Sequence, residues 1–229
     1  MSVPEQLSLD LPWRPALGRD DFMVAPCNVA AVALIDAWPA WPGPVVCLHG
    51  PVGAGKTHLA HVFAARAQAR TLRREELAGA DPLAPFPHPG VALVLEDVDQ
   101  PGLTRAVETD LFHLINAARQ TQASVLFTAS QMPSRWPVGL PDLRSRLAAV
   151  PEAGLGEPDD AVLMAVLLKQ FADRGLDVGP GAISFLLPRL ERRFAAIQDL
   201  VRRADALALR EGKAITIPLL RRVLAELQG

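Results

Sequence analysis

The apolar positions of the chain fall into two regimes. Up to about residue 150, short unbroken apolar runs alternate with longer segments whose apolar residues recur at helical spacing. Residues 43–48 (GPVVCL), 91–95 (VALVL) and 124–128 (SVLFT) are the unbroken runs. Continuous hydrophobicity, as opposed to strict alternation, predicts strands buried on both faces, which is the condition of a parallel sheet. Residues 28–38, the stretch KTHLAHVFAARAQA after Gly55, and residues 105–120 predict helices, the last with Leu111, Leu114 and Ile115 on one stripe. Strands alternating with helices predict an α/β fold with right-handed crossovers and helices on both faces of the sheet.

Beyond a loop at 151–160 the pattern changes. Residues 161–174, 180–187, 194–210 and 218–227 are helical in character, and no strand candidate there is longer than 214–217. The chain therefore divides into an extended, proline-punctuated arm at 1–20, an α/β subdomain at 21–157 and a small helical subdomain at 158–229. Residues 78–90 (AGADPLAPFPHPG) read as a loop. No internal repeat is present.

Composition narrows the class. Half of the 229 residues are hydrophobic and 21% are charged, which suits a compact globule and excludes a disordered chain. The net charge of −2 provides no overall electrostatic footprint for nucleic acid. The two cysteines, Cys27 and Cys47, have no metal-binding spacing, and Cys47 falls in an apolar run where a thiol serves as packing. The start MSVPEQLSLDLPW lacks a basic, apolar leader, and the longest apolar run, 161–168, is too short to span a bilayer. A cytosolic protein with no membrane partner is expected.

The strongest chemical signal follows the first strand. Gly50, Pro51, Val52, Gly53, Ala54, Gly55, Lys56 and Thr57 fit G-x-x-x-x-G-K-[ST] without departure, between a strand and a helix as that pattern requires. Glycines let backbone N–H groups turn inward around phosphates, and the following helix, entered through Lys56, Thr57 and His58, presents its positive end. Lys56 supplies a point charge to the β- and γ-phosphates and Thr57 a hydroxyl to Mg²⁺. The expected cofactor is ATP or ADP with Mg²⁺.

The second strand ends in Glu96 and Asp97, the place for acids that hold the metal and polarise water. Glu96 is the candidate for the metal and Asp97 for water, with the reverse order open. The extra methylene of Glu at the first position predicts slow hydrolysis. At the end of the third strand, Thr128 and Ser130 are both candidates to sense the γ-phosphate. His113 is assigned no chemistry.

Four further segments resemble the DnaA/Hda family of AAA+ proteins, and within it the Hda branch. QLSLDL, with Gln6, Leu7, Leu9 and Leu11, is similar to a peptide that docks on the β sliding clamp of DNA polymerase III. In an extended segment its leucines share one face and can fill an apolar groove, while the Gln6 amide hydrogen-bonds. ETDLFHLIN at 108–116 is similar to the family's helix after the acidic strand end. GLPDLRSRL at 139–147 resembles the box that carries an arginine finger, which falls on Arg146, with Arg144 its rival. FLLPRL at 185–190 resembles the stretch before a lid arginine, and the ITIP beginning at Ile215 the entry to the last helix. Here the chain departs from the family: the lid arginine's position falls on Ala195, with Arg192 and Arg193 just upstream. Either Arg193 takes its place or the lid contributes none.

The resemblance implies an AAA+ fold with a helical lid, and a regulator tethered to the clamp that supplies Arg146 to ATP-bound DnaA. Its implied effect is hydrolysis of that ATP, and thereby negative regulation of replication initiation. With the chain stopping at Gly229, just after the lid, no sequence-specific DNA binding of its own is expected, and a homo-oligomer is left open. An autonomous ATPase that remodels DNA or loads a partner, and a scaffold that binds ADP structurally, are the alternatives.

Overall fold

A computed structural model describes residues 24–77, 81–100 and 103–228. The arm with Gln6, Leu7, Leu9 and Leu11 lies outside the described residues. Five parallel strands, β1 (Val45–His49), β2 (Arg70–Leu72), β3 (Ala92–Leu95), β4 (Ser124–Ala129) and β5 (Glu152–Gly154), form one sheet in the order β2-β3-β4-β1-β5. Helices α1 (Val29–Asp36) and α2 (Lys56–Ala67) cover one face, and α3 (Arg105–Gln120) and α4 (Pro141–Ala148) the other.

The unbroken apolar runs are explained by this two-sided cover. In β1, Val45 and Cys47 enter the core shared with α3 and α4, while Val46 and Leu48 enter the core shared with α1 and α2. Leu126 of β4 faces the second core, and Val125 and Phe127 the first. Burial pushes the Cys47 thiol far above its ordinary pKa, so it behaves as an inert packing group.

Two strands escape the periodicity. β5 lies in the segment expected to be a loop, and β2 follows α2 at the sheet edge. Each has three residues of which only one is buried, so neither forms an apolar run. They exist because neighbours offer partners: Cys47 N–H donates to Pro151 O at 2.9 Å and Leu155 N–H to His49 O at 2.7 Å.

The C-terminal helices α5 (Asp160–Ala172), α6 (Pro180–Leu186), α7 (Phe194–Glu211) and α8 (Ile217–Gln228) enclose a separate core. In α7, Ile197, Leu200, Val201, Ala204, Leu207 and Ala208 form the buried stripe. α7 stops at Gly212, which takes the left-handed conformation of a helix C-terminus at φ +62°. The strand candidate 214–217 is not a strand: 214–216 are an irregular lead into α8, and Ile217 is its first residue. Among the described residues no helix is long and apolar enough to cross a membrane.

Candidate functional site

A cavity of about 760 Å³ opens between the C-terminal edge of the sheet and the helical subdomain. Val52, Gly53, Gly55, Lys56, Thr57 and His58 form one wall. Asp97, Asp99 and Ser130 come from the ends of β3 and β4, and Phe194, Ala195 and Gln198 from α7. This is the position at which a parallel sheet places ligands, beyond the carboxyl ends of its strands.

The loop before α2 is held open by backbone geometry that side chains would obstruct. At Gly50 a Cβ would stand 2.2 Å from Leu155 O. At Gly53, with φ +80°, it would stand 2.6 Å from Arg193 Cδ. Lys56 is 8% exposed, and its ammonium donates to Gly50 O at 2.8 Å and Pro51 O at 3.0 Å. Desolvation holds its pKa below the ordinary lysine value, while the carboxylates of Asp97 and Asp99 act to raise it. Among the described residues Lys56 has no ion pair. A buried ammonium that donates to two carbonyl oxygens, beside the N-terminal end of a helix, fits an anionic group such as a phosphate.

The acids at the end of β3 are divided by the fold. Glu96 does not line the cavity, and its Oε1 is buried without a hydrogen-bond partner. A buried oxygen of this kind suits the role of ligand to a cation or acceptor from a water. Asp97 is exposed to the cavity in a left-handed conformation at φ +50°, and its N–H donates to Thr128 Oγ1 at 2.9 Å. Thr128 is thereby turned inward, 1% exposed and absent from the cavity wall, whereas Ser130 lines it.

Asp99 was not identified from the sequence. Its carboxylate accepts from Ser130 N and Gln131 N, both at 2.9 Å, and from Ser130 Oγ at 2.5 Å. The available signal is the recurrence of acids at 97 and 99 just past the strand. With its proton given to Asp99, Ser130 Oγ presents lone pairs to the cavity.

The lid departure has a structural counterpart. Ala195 lines the cavity and carries no charge. Arg193, at the N-cap of α7, lays its side chain against Gly53 and pairs through Nε with Glu191. Arg192 pairs with Asp160 instead, at 2.7 Å.

The two arginines of α4 part ways in the same manner. Arg144 Nη2 donates to Val138 O at 2.5 Å, within its own subunit. Arg146, at the last turn of α4, is exposed, and among the described residues its guanidinium has no hydrogen bond or ion pair. His113 packs edge-on against Phe112.

Residues 159–224 match the family model described as the lid domain of Hda. The chain is 27% identical to the chromosomal replication initiator protein DnaA of Cereibacter sphaeroides over 98% of its own length and 55% of that protein's. It thus spans about half the length of the curated DnaA relatives it matches. A protein of Haemophilus influenzae, described as uncharacterized, is 28% identical over 79% of this chain and 81% of its own. In structure the chain is similar to domain III of Thermotoga maritima DnaA, with a TM-score of 0.70 at 17% identity, covering 90% of this chain and 94% of that one. Aquifex aeolicus DnaA bound to AMPPCP gives a TM-score of 0.66 at 17% identity over 90% of this chain and 68% of that chain. Both likenesses are of fold.

Proposed function

We propose that this chain, which belongs to the DnaA/Hda family of AAA+ proteins, is a nucleotide-holding regulator that presents Arg146 to ATP bound by DnaA. Tethering to the β sliding clamp through Gln6, Leu7, Leu9 and Leu11 would confine this to DNA carrying a loaded clamp. Hydrolysis in the partner would convert active ATP-DnaA to its ADP form and so restrain initiation.

The observation that carries the reading is the contrast within α4. Arg144 is spent on Val138 O, while Arg146 is exposed without a partner among the described residues. A guanidinium held out on a short anchored helix can stabilise charge on a neighbour's γ-phosphate.

The chain's own pocket takes a supporting part. Lys56 and the amides at the start of α2 would hold the phosphates of ATP or ADP, and Thr57 with Glu96 would hold Mg²⁺. The metal, when bound, neutralises phosphate charge. Asp97, open to the cavity, remains the residue that orients water, and Arg193 takes the place of the lid arginine. The Ser130 proton is directed to Asp99, which leaves no hydroxyl donor there for a γ-phosphate oxygen. That arrangement supports slow turnover by the chain itself and a pocket that serves to order the lid.

The test is hydrolysis of DnaA-bound ATP in the presence of purified protein and DNA-loaded clamp, comparing wild type, Gln6→Ala and Arg146→Ala. Both substitutions are expected to lower stimulation. Stimulation retained in Arg146→Ala sinks the reading, and retention in Gln6→Ala removes the clamp from it. An autonomous ATPase, the alternative favoured by Asp97 in the cavity, instead predicts substantial turnover without DnaA or clamp.

A further inference from the structure

Glu108 is 4% exposed, yet it carries a carboxylate, on the first turn of α3. Burying such a group is costly unless its oxygens are bonded. Here each oxygen receives one backbone amide: Gly139 N–H donates to Oε1 at 2.7 Å and Leu140 N–H to Oε2 at 2.8 Å. The Arg105 guanidinium stands 3.6 Å from Oε2.

Those two amides belong to the N-cap of α4, the helix that carries Arg146, and to the residue before it. Leu140 is the N-cap of α4 and has no side-chain oxygen with which to cap it, and Pro141 follows. Glu108 therefore anchors the entry to α4 from another helix, accepting the N–H of the N-cap and of the residue before it in a two-point grip. Two bonds, one to each oxygen of one planar carboxylate, fix a direction as well as a distance. Leu143 and Leu147, 0% and 1% exposed, hold the inner face of α4 against the core, and Arg146, one turn after Leu143, is exposed at the flank of that face.

We propose that Glu108 is the positioning residue for Arg146: its carboxylate sets the tilt of α4 and with it the reach of the guanidinium toward a neighbour's nucleotide. The proposal rests on the trans role of Arg146 stated above. From Leu140 to Arg146 the helix rises about 9 Å, so a 10° change of tilt at its start moves the base of the arginine by about 1.5 Å. Displacements of about 1 Å cost a catalytic group up to about 100-fold.

The experiment measures the rate of DnaA-bound ATP hydrolysis against concentration of the full chain, with DNA-loaded clamp, for wild type, Arg146→Ala, Glu108→Gln and Glu108→Asp. Gln keeps the shape but sets an NH₂ against one of the two donors. Asp keeps the charge with a shorter reach. Glu108→Gln is expected to lower the maximal stimulated rate about 10- to 100-fold, with half-saturating concentration and the chain's own ATP affinity unchanged, and Glu108→Asp to recover part of the loss. If Arg146→Ala abolishes stimulation while Glu108→Gln retains it, the positioning role is overturned and the Arg146 reading stands. If Glu108→Gln alters half-saturation or nucleotide affinity as well, or neither variant folds, Glu108 is a general determinant of the fold and the proposal is likewise overturned. If Arg146→Ala keeps full stimulation, the reading beneath it fails, whatever Glu108 does.

Discussion

Arg193 of the lid lies directly on Gly53 of the phosphate loop: a Cβ at position 53 would stand 2.6 Å from Arg193 Cδ and 2.9 Å from its Cβ. The contact joins the helical subdomain to the loop at the point where phosphates would enter. It also gives position 53 two separate reasons to be glycine, since its φ of +80° disfavours a side chain on its own account.

Gly53→Ala therefore strains the backbone by about 1 kcal/mol or more and pushes the root of Arg193 away. We expect ATP and ADP to bind at least about tenfold more weakly, a loss of about 1.4 kcal/mol, in calorimetric titration. Wild-type affinity in the alanine variant would mean that the loop and lid separate before nucleotide binds.

Arg193→Ala removes the charge that the N-cap of α7 brings to Gly53. The preference for ATP over ADP should fall by about 5- to 30-fold, the scale of about 1 to 2 kcal/mol. Because Ala195 already lines the cavity, the double variant Arg193→Ala/Ala195→Arg should regain the preference. A double variant no better than the single one would remove the lid arginine from nucleotide discrimination.

Lys56 makes the pocket sensitive to alkaline pH. Desolvation lowers its pKa in the folded protein below the ordinary value of 10.5. Between the lowered value and 10.5 the unfolded chain binds more protons than the folded one, so this residue's contribution to stability rises with pH. Charged Lys56 is the form that binds phosphate, so nucleotide affinity should fall through the same window. Denaturant unfolding and ATP titration of wild type and Lys56→Met, from neutral pH to about 10.5, should show both trends in wild type and neither in the variant. Parallel pH curves for the two proteins would assign the effect elsewhere.

The arginines of α4 should separate stability from activity. Arg144→Ala leaves Val138 O without its charged donor and should cost about 1 kcal/mol. Arg146→Ala should leave stability within about 0.5 kcal/mol of wild type, while removing stimulation of DnaA-bound ATP hydrolysis. Chemical denaturation measured beside the hydrolysis assay checks both. Equal destabilisation by the two substitutions would place Arg146 in the fold.

Local pattern carried a large part of this protein. β1, β3 and β4 are legible because a strand buried on both faces must be apolar at every position, and α7 because one buried stripe imposes helical spacing on Ile197, Leu200, Val201 and Ala204. The loop from Gly50 to Thr57 is legible for a related reason: its backbone conformation and its chemistry demand particular residues at contiguous positions. Tertiary structure decided what depends on partners distant in the chain. β2 and β5 are strands only because a sheet edge accepts their hydrogen bonds. Glu96, Asp97 and Asp99 are similar acids in sequence, and differ because one carboxylate is partly buried, one opens to the cavity and one binds the Ser130 turn. Arg144 and Arg146 are two residues apart on one helix, and Glu108 lies 31 and 32 residues before the amides that it holds. No local periodicity records such a pairing, because the physical constraint acts across the fold, between groups whose separation along the chain is arbitrary.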